Sequence, residues 1–178
     1  MTKKILCLIL ALALVLSLVA CGGNGGAGDV KTYKVGVAIY QYNDNFMTLY
    51  RQEIEAYFKT LETDSVKYNI TMVDSKNDMA EQTNQIDTFI TQKMDVIMCS
   101  LGQTSSAEGI IDKVVAADIP LILINREPLG ETDESYPGII NNAKVCYVGA
   151  DARQSGTYQG EIVLALDNKG DINGDGVV

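Results

Sequence analysis

The feature that most constrains the fold is a regular alternation of short apolar segments with stretches of helical periodicity. The apolar, strand-like segments lie at 31–40, 68–75, 95–101, 120–126 and 144–150. Such alternation predicts parallel βαβ units with right-handed crossovers, in which short apolar strands are buried on both faces. The sequence therefore predicts an α/β fold with a doubly wound parallel sheet, in the strand order 2-1-3-4-5.

Three helices are expected between these strands, each with one apolar face. In chain order, the predicted apolar faces are Tyr50, Ile54, Tyr57, Phe58 and Leu61, then Met79, Ile86, Phe89 and Ile90, then Ala107, Ile111, Val114 and Val115. Asn77 or Asp78 is expected to cap the second helix, and Ser105 and Ser106 to open the third.

Composition excludes several classes of function. The chain of 178 residues has no histidine, which removes Ser/His and Cys/His couples and His-ligated zinc. Its formal charge of −9 argues against a nucleic-acid partner. The first strand is not followed by G-x-G-x-x-G, and no G-K-[ST] occurs, so dinucleotide and P-loop sites are not expected. An enzyme of flavodoxin-like fold would need a nucleophile–base pair or cofactor cradle at the strand ends; neither is visible, and no enzymatic activity is expected.

The N-terminus has the pattern of a targeting segment. Two lysines precede a long apolar run that ends at Leu-Val-Ala before Cys21, and a glycine-rich stretch follows. The apolar run falls just short of the roughly 20 residues that span a bilayer. The LVAC stretch resembles the lipobox of bacterial lipoproteins, in which the cysteine becomes the lipidated first residue. We therefore expect a signal peptide at 1–20 and a lipidated tether at 21–32 that holds an extracytoplasmic protein on the cell membrane.

Candidate ligand-binding residues follow the predicted strands, where doubly wound sheets bind ligands. They are Tyr40, Asp44 and Phe46 after the first strand and Asn125 after the fourth. A ring such as Phe46 can pack on the apolar face of a sugar, while Asp44 and Asn125 can bond its hydroxyls. The alternative is that Asn43–Asn45 forms a turn and a helix N-cap. The residues alone leave both interpretations open.

Five stretches, in order, carry a resemblance to known proteins. They are VGVAIYQYNDNFM (35–47), VDSKNDMAEQTNQID (73–87), ILINREP (122–128), YVGADARQSGTYQGE (147–161) and DINGDG (171–176). They resemble the galactose/glucose-binding proteins, which are periplasmic sugar receptors of bacterial ABC transporters. The resemblance implies a type I periplasmic-binding-protein fold, with the N-terminal sugar-binding lobe at 33–149 and a truncated start of the second lobe at 150–178.

The same resemblance implies a ligand, a partner and the roles of site residues. The ligand would be a hexose, galactose or glucose, delivered to the membrane permease of an ABC transporter, and a role in chemotaxis is open. Tyr40, Asp44, Phe46 and Asn125 would contact the sugar, with the aspartate accepting from hydroxyls and the phenylalanine stacking on one face. The run Cys-Ser-Leu-Gly at 99–102 departs from the family's more usual apolar-Asn-Leu. Ribose and xylose receptors are neighbouring alternatives, and a LacI-type repressor would need a basic helix-turn-helix that this chain lacks.

The segment DINGDG has the spacing of the first half of a calcium loop. Asp171, Asn173 and Asp175 would supply side-chain oxygens, Gly176 the sharp turn and Val177 a backbone carbonyl. The family resemblance makes this a structural calcium site in the second lobe. Calcium takes six to eight oxygens, so the site would be incomplete and calcium binding below millimolar concentration is not expected. The segment also resembles a dockerin repeat, an interaction module, and a turn without an ion is a third interpretation.

Two further expectations come from the predicted sheet. Cys99 and Cys146 would be separated by the fourth strand, at about 9–10 Å, whereas a disulfide tolerates at most ~7 Å between Cα atoms. We therefore expect both to be free and buried thiols. A chain carrying one lobe would offer an open shelf rather than a closed cleft. It is expected to bind hexose weakly or not at all and to be mobile from about residue 151.

Overall fold

The described part of the chain, residues 29–129 and 142–176 of a computed structural model, is built on one parallel five-stranded sheet. The strands are β1 Lys31–Ile39, β2 Val66–Asp74, β3 Val96–Cys99, β4 Leu121–Ile124 and β5 Val145–Val148. All adjacent pairs are parallel, in the order β2-β1-β3-β4-β5. The predicted α/β class, the parallel sheet and the strand order are confirmed.

Three helices lie between the strands, where the periodicity predicts them, and a fourth follows the last strand. They are α1 Asn45–Thr60, α2 Met79–Thr91, α3 Ala107–Ala116 and α4 Ala152–Leu164. Asp78 caps α2, because its side chain accepts a hydrogen bond from the backbone N–H of Glu81 at 2.9 Å. A 3₁₀ turn at Thr104–Ser106 leads into α3, and Ser106 occupies the N-cap position without a side-chain hydrogen bond to the helix.

The core lies on both faces of the sheet. On one face, α2 and α3 bury a cluster that includes Ile86, Phe89 and Val114 against β1, β3 and β4. On the other, Met47 of α1 packs with the apolar residues of β1. Gly36 permits the close approach of α2, because a Cβ there would lie 2.7 Å from the ring of Phe89. The carboxyl ends of the strands thus belong to a sheet that is packed on both faces.

Four positions predicted to be buried are exposed instead. Tyr57, Leu61 and Met79 expose 64%, 40% and 37% of their surface. Leu61 follows the end of α1 and Met79 is the first residue of α2, so neither is covered by the sheet, and Tyr57 lies on the outer side of α1. Cys146 is exposed because β5 forms the edge of the sheet. The prediction that it is buried is wrong, although the prediction that Cys99 and Cys146 are free is confirmed.

Several predictions concern segments at the two ends of the chain. The signal peptide and Cys21 lie outside the described residues, as does Val177. Helix α4 has no buried residue, and the mobility expected from residue 151 stays a prediction. Within 29–129 and 142–176, no helix combines the length and apolar character that crossing a membrane requires.

Candidate functional site

The carboxylate of Asp44 makes two contacts at the carboxyl end of β1. One oxygen, Oδ1, accepts from the backbone N–H of Met47 at 2.8 Å and so caps α1. The other, Oδ2, accepts from the Tyr40 hydroxyl at 2.5 Å. The hydrogen bond from Tyr40, with a second contribution from the Met47 N–H, holds the pKa of Asp44 below its usual range. The N-cap interpretation is therefore confirmed, and the carboxylate is kept ionised.

Tyr40 lies beneath the guanidinium group of Arg126. Its side chain is almost fully buried, and the guanidinium carbon lies 3.9 Å from the centre of the ring, a cation–π arrangement. Burial, together with the hydrogen bond to the Asp44 carboxylate, raises the pKa of the Tyr40 hydroxyl. The hydroxyl is therefore a proton donor to Asp44 at any physiological pH.

Arg126 connects the end of β4 to the end of β3. Its Nη1 donates to the carbonyl oxygens of Gly102 at 2.6 Å and Leu101 at 3.3 Å. The Arg126 side chain therefore contacts the carboxyl ends of both β1 and β3 from its position after β4. We call Tyr40, Asp44 and Arg126 the rim cluster.

Asn125 lies beside the rim cluster and lines an open cavity of about 370 Å³. Its backbone has a positive φ of 67°, a conformation that asparagine tolerates better than most residues. The Asn125 N–H donates to the Val148 carbonyl at 3.0 Å, and its own carbonyl accepts from the Tyr147 hydroxyl at 3.0 Å. These bonds fix the β4 end against β5. The other residues that line the cavity are Thr104, Arg126, Glu127, Leu129, Tyr147, Ala150, Asp151, Ala152 and Arg153.

Phe46 lies on the first turn of α1 and exposes 58% of its surface. Its ring stacks on Tyr50 with the ring centres 5.7 Å apart. Of the four predicted sugar contacts, the structure brings Tyr40 and Asp44 into direct contact. Asn125 joins them through its neighbour Arg126, whereas Phe46 and the cavity residues do not form one enclosed pocket. The arrangement is an open shelf at the carboxyl edge of the sheet.

Sequence reasoning did not assign roles to Arg126 or Gln82. Arg126 stands directly after the fourth strand, and that position was the available signal. Gln82 reads as an ordinary polar residue of a helix, yet it is fully buried and bonds the end of β3. Only the packing of α2 on the sheet shows this.

The predicted calcium segment forms a tight loop. The Asp171 carboxylate accepts from the N–H groups of Gly174, Asp175 and Gly176 at 2.7, 3.1 and 2.8 Å. The Asn173 amide donates to Asp175 Oδ2 at 2.8 Å. The three predicted side-chain ligands are therefore neighbours, but they supply fewer than the six to eight oxygens that calcium takes. Across the residues that the structure describes, no group of three or more His, Cys, Asp or Glu is placed to hold a metal.

The sequence matches the periplasmic binding protein domain over residues 35–178. The chain belongs to this family. The match takes in β1 from Val35 onward, the other four strands and the loop at Asp171. The predicted membership of the periplasmic binding proteins is confirmed, whereas the galactose/glucose specificity stays a prediction.

Two curated relatives and one solved structure carry names that bear on the ligand. The D-galactose/methyl-galactoside binding periplasmic protein of Haemophilus influenzae is 31% identical, over 79% of this chain and 40% of the relative. A putative rhizopine-binding protein of Rhizobium meliloti is 36% identical, over 76% of this chain and 41% of the relative. A solved structure of a Bacillus halodurans ABC transporter solute binding protein with bound myo-inositol is 28% identical. It matches with a TM-score of 0.60, over 79% of this chain and 43% of that protein. The chain spans about two fifths of the length of these relatives.

Proposed function

We propose that this chain forms the ligand-binding N-terminal lobe of an extracytoplasmic sugar receptor that delivers its ligand to the permease of an ABC transporter. The observation that carries the proposal is the rim cluster. It places an ionised carboxylate and a guanidinium at the carboxyl ends of β1 and β4, the edge where doubly wound sheets bind ligands. Membership of the periplasmic binding protein family supports a ligand site at the same edge of the sheet. The named relatives are binding proteins, and no reaction is proposed.

The chemistry of the rim suits a polyhydroxylated ring. A carboxylate has about four acceptor positions, and the bonds from Tyr40 and Met47 occupy two of those of Asp44. A guanidinium has five N–H donors, and Arg126 directs Nη1 to the protein carbonyls. The remaining acceptors and donors can bond sugar hydroxyls, while the exposed ring of Phe46 can cover an apolar face.

The proposed ligand is a hexose, D-galactose or D-glucose, because the Haemophilus relative is named for D-galactose. A cyclitol is the second candidate, because the Bacillus structure holds myo-inositol at 28% identity. Both ligands present a ring of hydroxyls with apolar C–H faces, and the rim cluster offers the same groups to each. A role in chemotaxis would use the same receptor lobe.

The test is titration calorimetry on a two-lobed protein that contains this chain, with D-galactose, D-glucose and myo-inositol as probes. Asp44→Ala should weaken binding strongly, because buried hydroxyls lose a charged acceptor, and Phe46→Ala should weaken it less. Asp78→Ala is the matched control, since Asp78 is also an N-cap aspartate but lies outside the rim cluster. Equal affinities for the Asp44 and Asp78 variants would contradict the proposed site.

We also propose that Cys21 carries the lipid that holds the receptor on the membrane. The support is the sequence around Cys21: a charged start, an apolar run, and the Leu-Val-Ala that precedes the cysteine. Metabolic labelling with a fatty-acid analogue should label the wild-type chain and fail to label Cys21→Ser. Equal labelling of the wild type and Cys21→Ser would contradict the proposed lipid anchor at Cys21.

Calcium remains part of the proposal for the longer receptor. Asp171, Asn173 and Asp175 would hold the ion with the Val177 carbonyl, and the loop that Asp171 closes through three N–H bonds supports this. The ion would have a structural role, away from the rim cluster. A calcium titration of this chain followed by NMR should show no saturation below millimolar calcium; sub-millimolar saturation would show that the ligand set is already complete.

A further inference from the structure

Gln82 is a fully buried amide on α2 whose hydrogen-bonding groups are all engaged. Its Nε2 donates to the Ser75 hydroxyl at 3.1 Å and to the Ser100 carbonyl at 3.0 Å. Its Oε1 accepts from the Gly102 N–H at 2.9 Å. A buried polar side chain with every partner in place specifies one arrangement of the segments that it joins. Here it joins the ends of β2 and β3.

The segment that follows β3 is held from two sides. On one side the Gln82 amide bonds the Ser100 carbonyl and the Gly102 N–H. On the other, Arg126 Nη1 donates to the Gly102 carbonyl. Gly102 therefore donates one hydrogen bond to the helix and accepts one from the rim cluster. The Gly102 carbonyl thus contacts the same guanidinium whose carbon lies 3.9 Å from the centre of the Tyr40 ring.

We propose that Gln82 is a positioning residue for the ligand site, and that it acts through Gly102 on Arg126. The proposal rests on the proposed function, since it concerns the affinity of the same rim. Gln82 has no exposed surface and cannot touch a ligand itself. Its effect on binding would be transmitted by the hydrogen bonds that fix the Gly102 carbonyl.

Gln85 provides a matched comparison within the same helix. Its Nε2 donates to the Asp74 carbonyl at 2.8 Å, and its Oε1 accepts from the Ser75 hydroxyl at 2.8 Å. It holds the end of β2 as Gln82 does, but its hydrogen bonds do not reach Ser100 or Gly102. Gln82→Met and Gln85→Met remove the same chemical group and keep nearly the same volume.

The first measurement needs no ligand. Amide exchange at Gly102 and the guanidinium NMR signals of Arg126 are recorded on the full chain for the wild type and both variants. Gln82→Met should speed exchange at Gly102 and shift the Arg126 signals, whereas Gln85→Met should leave both unchanged. Unchanged signals in folded Gln82→Met, or equal changes in the two variants, would overturn the proposal. Gln82→Glu is measured alongside, since it keeps an oxygen that can accept from the Gly102 N–H. It takes the place of Gln82→Met if that variant fails to fold.

The second measurement is a titration with D-galactose and myo-inositol of a two-lobed protein that contains this chain, with and without the same substitutions. Gln82→Met should weaken binding roughly tenfold, the effect expected for losing one well-placed hydrogen bond, and Gln85→Met by less than about twofold. Equal affinity losses would show that Gln82 is merely structural. If the wild type binds neither probe, the proposed ligand class fails, while the exchange data still decide whether Gln82 positions Arg126.

Discussion

Arg126→Met tests whether the rim cluster stabilises the carboxyl edge of the sheet. The substitution removes the cation over the Tyr40 ring and the bonds from Nη1 to Leu101 and Gly102. A hydrogen bond from a charged group contributes about 1.5–3 kcal/mol. A cation–π contact contributes about 0.5–2 kcal/mol. Because Arg126 is half-buried and part of this is offset by water, we expect the free energy of unfolding to fall by about 2–3 kcal/mol.

The contribution of the Tyr40 ring is isolated by a double-mutant cycle with Tyr40→Leu, measured by urea unfolding. The coupling energy between Tyr40 and Arg126 should be about 1 kcal/mol, the magnitude of a partly desolvated cation–π pair. The pair of Arg51 and Tyr42 is the control for a similar contact outside the rim cluster. The Arg51 guanidinium carbon lies 3.6 Å from the centre of the Tyr42 ring. Its cycle should show a similar coupling, whereas only the Arg126 variant should also change amide exchange at Gly102. Additive effects of Tyr40→Leu and Arg126→Met would refute the reasoning.

Two other predictions concern ionisable side chains. Burial raises the pKa of the Cys99 thiol to about 12, so iodoacetamide at mildly alkaline pH should label Cys146 in the native chain and Cys99 only after unfolding; equal labelling rates would contradict the buried position of Cys99. Because the pKa of Asp44 is lowered in the folded chain, its stabilising contribution is present above the usual carboxyl pKa and lost as pH falls through the folded value. Acid unfolding curves should therefore be less steep for Asp44→Asn, and curves identical to the wild type would rule out this contribution.

The sheet was predictable from the sequence because its signals are local. Short apolar strands alternating with helical periodicity specify parallel pairing, and the N-cap at Asp78 follows from residue type. Burial at the margins was harder to predict. Cys146 lies in an apolar run but on an edge strand, and Met79 begins a helix whose apolar face starts one turn later.

The candidate site was predictable only in part. Tyr40 and Asn125 stand directly after strands and Asp44 lies in the turn that follows β1, so topology alone brings them to one edge. The contacts among them depend on side-chain directions and on partners distant in sequence, which no local pattern encodes. Arg126 reaches from β4 across to Tyr40 on β1, and Gln82 reaches from α2 to the end of β3.

The central claim is that ligand binds at the carboxyl edge of the sheet, on the rim cluster. The most direct test is an NMR titration of this chain with D-galactose and myo-inositol, in which every assigned amide and ring signal is followed. The account predicts weak binding, with a dissociation constant in the millimolar range or above, and shifts confined to Phe46, Asn125, Arg126 and their neighbours. Shifts centred on the opposite edge of the sheet, around Tyr33 and Tyr68, or micromolar affinity without the second lobe, would contradict it.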